Sequence, residues 1–417
     1  MKTYKGLFLK IISCKNIVLA FKKASELKSF RRSVLIFEKN LSLNFIGIIR
    51  DLVKGTYKHG EYRFFKIFEK KERQISAAPF RDRVVHHAVY QILNPIYDRK
   101  FIFDSFANRD KKGTHKAIKR LQFFLRKIDF SRQSDKISKR ENFTSLTHLK
   151  GKNIYCLKCD IAKCFPSINH QKLIEIIQKT IQDQKVLWLL REIISSYETG
   201  NEFDSLFTPD SPFLKLRPRG IPIGNLTSQL FINIFLNELD QYIKHKLKIR
   251  YYIRYVDDFV ILSPNKRYLH QTRDRVRTFL REELLLELHP KKQSIFPVEK
   301  GIDFLGHVIF KNFTLLRKSN KEAFRKKLKK LKKGLGQNKV SEEEMRRSIT
   351  SWLAHAQFSD TFRLRKRMIG LSIKAENQKT IKKIISVLKE DFQRQARESS
   401  VQLGLFDIPE KQKSDRQ

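Results

Sequence analysis

Two adjacent carboxylates, Asp257 and Asp258, interrupt an apolar run in which Tyr251-Tyr252-Ile253-Arg254-Tyr255-Val256 precedes them and Phe259-Val260-Ile261-Leu262 follows. Aromatic and β-branched residues on both flanks predict a strand–turn–strand hairpin with the aspartates at its tip. Apolar strands hold two anions at a cost unless a cation compensates them. Oxygen-only ligands select a hard divalent ion, Mg²⁺ or Mn²⁺. An acidic turn open to water accounts for Asp-Asp equally well on its own. A second run decides the matter: Tyr155-Cys156-Leu157-Lys158-Cys159-Asp160-Ile161 is strand-like and ends in a carboxylate. One aspartate at a strand end, facing an aspartate pair on a hairpin, is the minimum set for holding two metal ions about 3.5–4 Å apart for in-line phosphoryl transfer. Asp160, Asp257 and Asp258 are therefore the expected catalytic residues and metal ligands, with the backbone carbonyl of Ile161 as a further ligand.

The elements that must position these carboxylates are visible as periodicity. Leu35, Leu41, Phe45, Ile48 and Leu52 recur at helical spacing. Residues 7–21 read as an amphipathic helix, since Lys10 and Lys15 interrupt the apolar stretch and no small-residue cleavage site follows. Nothing is long enough to span a membrane. A helix is expected over 84–96, ending near Pro95. Residues 131–152 and 201–219 are polar or proline-bearing and read as surface excursions, and 226–247 as a helix. Beyond Phe313 the pattern is purely helical. Phe324, Leu328, Leu331 and Leu335 form an apolar stripe among lysines, Ser341-Glu342-Glu343-Glu344 caps a helix running through Trp352, and 362–369 and 381–392 add two more.

The bulk composition narrows the partner. In 417 residues, Lys and Arg outnumber Asp and Glu by 87 to 43, a net charge of +44. That excess implies a polyanion and salt-dependent binding. A purely RNA-packaging protein would share the charge but would not need carboxylates held in apolar strands. The four cysteines form no disulfide framework. Cys156-x-x-Cys159 lacks a second Cys or His pair, so Cys156, Cys159 and Cys164 read as packed, reduced thiols rather than zinc ligands, in keeping with a cytoplasmic enzyme.

Further runs carry a resemblance to a known family. They are Arg73 through Pro79-Phe80-Arg81-Asp82-Arg83 to His86-His87, then Ser105-Phe106-Ala107-Asn108-Arg109 with Lys112-Gly113-Thr114-His115, and Asp160 to Phe165. Gly220-Ile221-Pro222-Ile223-Gly224-Asn225-Leu226-Thr227-Ser228-Gln229, Tyr255 to Asp258, His289-Pro290-Lys291-Lys292 and Phe304-Leu305-Gly306-His307 follow. In this order, over about residues 21–368, the series resembles a reverse transcriptase. Retroviral and group II intron enzymes usually carry Gln-Gly and then Ser-Pro where this chain has Ile223-Gly224 and Ser228-Gln229. That version resembles the enzymes of diversity-generating retroelements, as do His86-His87, Lys112 to His115, Asn237-Glu238-Leu239-Asp240 and Ser351-Trp352-Leu353-Ala354-His355.

The resemblance implies an α+β right-hand polymerase: fingers, a palm of antiparallel sheet with helices, and a helical thumb. Its expected bounds are a basic helical extension over 1–62, fingers over 63–152, palm over 153–312, thumb over 313–398 and a disordered tail over 399–417. It implies an RNA-directed DNA polymerase that copies template RNA into cDNA from dNTPs with two Mg²⁺ ions, Mn²⁺ being the alternative, and that errs at template adenines for targeted gene diversification. A group II-like or phage-defence reverse transcriptase, or an RNA-binding protein that has lost catalysis, are the competing readings. Carried over by motif, Phe165 screens the sugar 2′ carbon, Arg109 and Lys112 hold the triphosphate with Arg73 and Arg81 as weaker candidates, and Ile223, Gly224 and Gln229 line the nucleotide pocket. Lys291 or Lys292 supplies a proton to pyrophosphate. Ile223 offers packing where a glutamine would hydrogen-bond, and losing about 1.4 kcal/mol of that check costs roughly tenfold in discrimination. The family also implies a small helical accessory protein. In the tail, Gln402-Leu403-Gly404-Leu405-Phe406 resembles the motif by which bacterial proteins dock on the sliding clamp.

Overall fold

The computed structural model describes residues 2–68, 72–137, 153–200, 218–369 and 386. The expected clamp motif, Gln402, Leu403, Leu405 and Phe406, lies outside them, as do all but one residue of the helix expected over 381–392 and most of the two excursions. The chain divides into two compact units, Met1–Phe124 with Ser134–Val298, and Leu125–Gln133 with Glu299–Gln417.

The first unit opens with four helices, α1 (Phe8–Ile12), α2 (Cys14–Ser25), α3 (Arg32–Lys39) and α4 (Leu41–Lys54). The single helix expected over 7–21 is thus broken, because the Ser13 hydroxyl accepts from Asn16 N and starts a new helix there. Leu35, expected inside, is exposed. The break at Asn40 between α3 and α4 resets the helical phase, so Val34 and Phe37 turn inward instead. A β-hairpin follows, β1 (Arg63–Phe68) with β2 (Glu72–Ala77), then α5 (Phe80–Asp98) and α6 (Thr114–Ile137). Pro95 does not end α5 as expected. Buried Leu93 and Tyr97 carry the helix past it, the Tyr97 hydroxyl donating to Ile177 O at 3.3 Å. The loop expected from 131 is helical through Ile137. With no Gly or Pro in the way, propagating a formed helix is cheap. Asn16, buried, donates to Ala88 O at 3.0 Å, and Phe21, Phe37 and Phe80 pack ring against ring, so the N-terminal helices share one core with α5.

The sheet that carries the carboxylates is built from β3 (Tyr155–Ile161), β4 (Tyr252–Tyr255), β5 (Asp258–Ser263) and β6 (Leu288–Pro297). Its order is β4-β5-β3-β6 and every pair is antiparallel. Between β3 and β4 run α7 (Cys164–Ser167), α8 (His170–Gln178), α9 (Gln184–Ser195) and α10 (Leu226–Gln241). The last is buried around most of its circumference, and a π-helical turn, Tyr242–Lys246, extends it. Between β5 and β6, α11 (Lys266–Glu283) turns Leu269, Val276 and Leu280 inward.

In the second unit, β7 (Ile302–Phe304), β8 (His307–Ile309) and β9 (Thr314–Leu316) form an antiparallel sheet. Leu305 and Gly306, at φ +53° and +87°, make the tight turn between the first two. The helices α12 (Lys318–Gly336), α13 (Glu342–Gln357) and α14 (Phe362–Ile369) follow. The expected stripe Phe324, Leu328, Leu331 and Leu335 is buried, Phe324 stacks on Trp352 at 4.1 Å, and Ser341 caps α13. Among the described residues no helix is long and apolar enough to cross a membrane.

One buried ion pair fixes the β4–β5 hairpin within the first unit. Arg254 and Asp240 have side chains 0 % exposed, and the guanidinium donates to both carboxylate oxygens, at 2.7 and 2.6 Å. Burial alone would make Arg254 easier to deprotonate, but the charge and hydrogen bonds of Asp240 outweigh it and hold its pKa above the ordinary value. The same guanidinium donates to Val256 O in the hairpin turn and to Ser105 Oγ, while the Tyr252 hydroxyl donates to Asp240. Removing one partner strands the other charge in the core. We expect Arg254→Met or Asp240→Asn to cost about 3–5 kcal/mol and the double variant Asp240→Leu/Arg254→Met to recover much of it. Urea midpoints measure this, and a single variant unfolding at the parent's midpoint would refute it.

Candidate active site

The three aspartates meet because of strand register. On β3 and β5, Asp160 lies directly opposite Asp258, and Tyr255 opposite Asp258 closes a two-residue turn of Val256 and Asp257. Val256 sits at φ +55°, a conformation unfavourable for a β-branched residue. Arg254 holds its carbonyl at 3.0 Å, and Ile161 N donates to Asp257 O at 3.1 Å, tying the turn to the end of β3. Cross-strand neighbours on one face have Cβ atoms about 4.5–5.5 Å apart, and like charges there repel.

Two lysines answer that repulsion. Lys158, on the same face of β3, places Nζ 3.6 Å from Asp258 Oδ2. The other comes from a disruption of register. Between Cys159↔Gln293 and Ile161↔Leu288, β6 bulges through His289-Pro290-Lys291-Lys292 where β3 contributes only Asp160. The bulge brings Lys292 Nζ to 2.8 Å from Asp160 Oδ2. Lys291, its neighbour, is exposed, its N–H donating to His289 Nδ1. Asp257 is the least compensated of the three. Burial first, then the charge of Asp160, raises its pKa to about 6, against smaller lowering by its own backbone, Lys292 and Arg73. Among the described residues no group of three or more His, Cys, Asp or Glu side chains is gathered so as to hold a metal ion, and Lys158 and Lys292 lie against two of these carboxylates. The donor set still fits a hard divalent cation: oxygen-only, clustered at one strand end, and short of positive charge at Asp257.

The neighbouring motifs dock here through backbone bonds. Ile221 N donates to Phe165 O at 3.0 Å, so the Gly220–Gln229 segment lies against the α7 turn that bears half-buried Phe165. Ser76 N donates to Ile223 O at 3.0 Å, so the same segment lies against β2. Gly224 has φ +122°, and a Cβ there would come within 3.2 Å of Ser76 O, so only glycine permits this approach without strain. Arg73 is exposed on β2, close enough to Asp257 to lower its pKa. Gln229 is exposed in the first turn of α10.

Other expected residues are engaged elsewhere. Arg109, its side chain 6 % exposed, donates to Asp98 Oδ1 at 2.6 Å and to the carbonyls of Asp98, Ile102 and Ser105. Few donors remain for a triphosphate. Lys112 donates to Phe103 O and lies over the Phe103 ring, and Arg81 is bound to Asp51 at 2.7 Å. Cys156, Cys159 and Cys164 are buried free thiols whose pKa values burial pushes up, Cys159 to about 12, which disfavours the thiolate that zinc requires. His86 is buried, and burial holds it neutral. Sequence reasoning missed the roles of Arg254, Asp240 and Lys158. The only available signal was charge inside apolar runs.

A family model described as Reverse transcriptase (RNA-dependent DNA polymerase) matches residues 58–309. Protein YkfC of Escherichia coli (strain K12) is 26 % identical over 297 residues, covering 63 % of this chain and 70 % of that protein. Group II intron-encoded protein LtrA of Lactococcus lactis subsp. cremoris is 23 % identical over 328 residues, covering 63 % of this chain and 49 % of its own length, so the chain spans about half of that relative. Among solved structures, apo telomerase from Candida Tropicalis, truncated from the C-terminal domain, aligns with a TM-score of 0.40 and 12 % identity over 64 % of this chain and 59 % of its own.

The raised Asp257 pKa carries a stability prediction of definite sign. A carboxylate whose folded pKa lies above its unfolded value destabilises the fold above the folded pKa, and protonation relieves the effect as pH falls through it. Without divalent ions, Asp257→Asn should therefore be more stable than the parent at pH 8, by on the order of 3 kcal/mol, with the gain shrinking below pH 6. Thermal unfolding across pH checks this. A gain that grows toward acid would contradict it.

Proposed function

The chain belongs to the reverse transcriptase (RNA-dependent DNA polymerase) family, and from that membership we propose that it copies a template RNA into cDNA at the corner formed by Asp160, Asp257 and Asp258. The observation that carries the reading is the register placing Asp160 opposite Asp258 with Asp257 in the adjoining turn. These three side chains, with the Ile161 carbonyl, would hold two Mg²⁺ ions, or Mn²⁺. Bound there, such ions acidify a primer 3′-hydroxyl and neutralise the triphosphate and the leaving pyrophosphate.

The chain's own residues supply the rest. Arg73 faces the triphosphate from the β-hairpin and contributes charge, with bidentate geometry available to a guanidinium. The Phe165 ring closes the space beside the sugar 2′ carbon and favours dNTPs. Ile223 and Gly224 form an apolar, close-packed wall beside the base pair. Lys292, whose ammonium lies beside Asp160, would donate a proton to pyrophosphate, and Lys291 would contact phosphate.

The Ile223-Gly224 and Ser228-Gln229 pattern supports a retroelement role in which the copy errs at template adenines. With that role come a small helical accessory protein and a tail, through Leu405 and Phe406, that recruits the sliding clamp. Similarity to LtrA supports the competing reading, a group II-like enzyme. Primer extension on RNA tests the activity: Asp257→Ala should lose at least about 10³-fold in rate, and extension at the parent's rate would remove the proposal. Sequencing the cDNA separates the two subtypes. Substitutions concentrated opposite adenine fit the retroelement reading, and an even error spectrum fits the group II reading.

A further inference from the structure

Away from the carboxylate corner, one surface of the first unit joins exposed aromatic rings to a dense set of cations. Lys116, Lys119, Arg120 and Phe123 follow one another on α6 at i, i+3, i+4 and i+7 and so share a face. Phe103, Lys111 and Lys112, from the segment before the helix, complete a groove of about 460 Å³. Phe103 is 64 % and Phe123 45 % exposed, where phenylalanine is ordinarily buried. Their rings are held under cations: Lys112 Nζ lies 3.4 Å from the Phe103 centroid, and the Arg120 guanidinium lies 4.9 and 5.2 Å from those of Phe103 and Phe123.

Among the described residues lining the groove none is acidic. Residues 114–128 contain no Glu and no Asp. Asp104 beneath the groove is buried and taken by Arg120 at 2.7 Å and Lys244 at 3.1 Å. The first turn of α6 carries His115 and Lys116 at the end where the helix dipole is already positive. An anion seated here would relieve both.

We propose that this groove holds an unpaired stretch of nucleic acid, its bases against Phe103 and Phe123 and its phosphates beside Lys111, Lys116 and Lys119. Aromatic rings interleaved with cations match a single strand, because only unpaired bases offer a face to stack on. A duplex would use the lysines and leave the rings idle. The inference rests on the reading of the chain as a nucleic-acid polymerase and adds a contact for the strand beyond the carboxylate corner.

Fluorescence anisotropy with the full chain tests it, using a short unpaired RNA, the same sequence as single-stranded DNA, and a blunt RNA–DNA duplex. Phe103→Ala/Phe123→Ala should weaken binding of an unpaired probe by about 30-fold or more, from roughly 1–3 kcal/mol for each of two stacked bases, with little change for the duplex and none in the salt dependence. Lys116→Ala/Lys119→Ala should instead reduce the slope of log affinity against log salt by about 1.4, from roughly 0.7 per single-strand phosphate. Whether the RNA or the DNA probe suffers more identifies which strand is held. An affinity of the phenylalanine variant for both unpaired probes that is unchanged from the parent's, or an equal loss on the duplex, overturns the proposal; the first outcome would leave the rings to a protein partner. The lysine variant alters only exposed side chains, so it keeps the test valid if the other misfolds, and an unchanged slope also overturns the proposal. A parent that binds as described yet fails to extend a primer would count against the polymerase and not against the groove.

Discussion

Like charges set directly across a β-ladder repel, and the first unit is organised around that repulsion. Asp160 and Asp258 oppose each other on central strands, and Asp257 adds a third carboxyl at the adjoining turn. Hydrophobic burial cannot offset three anions in one corner; cations must. The chain supplies two of them, Lys158 from the same strand face and Lys292 from the bulge in β6, and leaves Asp257 with a pKa near 6. A divalent cation entering a site so incompletely neutralised would displace the ammonium groups.

Such a corner has value only if it is rigid, and the rigidity comes from charge buried more completely elsewhere. Arg254 spends its donors on Asp240, Ser105 and the carbonyl of Val256, so one guanidinium joins α10, the segment before α6 and the strained turn. The turn keeps Val256 at positive φ because that carbonyl and the Asp257 carbonyl are both bound. Backbone bonds from Ser76 to Ile223 and from Ile221 to Phe165 then fasten β2 and the glycine-bearing segment to the same frame. Local strain persists because its surroundings over-determine it.

What was legible in the sequence follows from the range of the forces involved. The β3 strand, the β4–β5 hairpin, the cap at Ser341 and the stripe from Phe324 to Leu335 are short-range patterns, and they stand where periodicity put them. That Asp160 and the Asp257–Asp258 pair share one corner was expected from chemistry, since isolated carboxylates in apolar strands call for a common cation, but the register that sets Asp160 opposite Asp258 was not. Arg254 and Asp240 stand 14 positions apart and meet only in the folded core, so no local pattern announces them. Lys292 reaches Asp160 through a bulge that spacing does not encode. Pro95 and the polar end of α6 misled for the converse reason: tertiary packing and cheap helix propagation overrode local preference. Arg109 occupies a motif position, yet its burial against Asp98 could be found only by counting its partners.

The distribution of the +44 charge divides the labour between affinity and chemistry. Exposed lysines on α6 and along α12 make a field that draws any polyanion and is weakened by salt. Such a field cannot choose a reaction. Against it, the three aspartates form a local inversion of sign on β3, β5 and the adjoining turn. Small divalent cations, repelled by the surrounding lysines, would find favourable potential at that point. The lysines of each unit thus attract a polyanion without choosing a reaction, while the three carboxylates of the first unit mark a corner where the local charge is reversed.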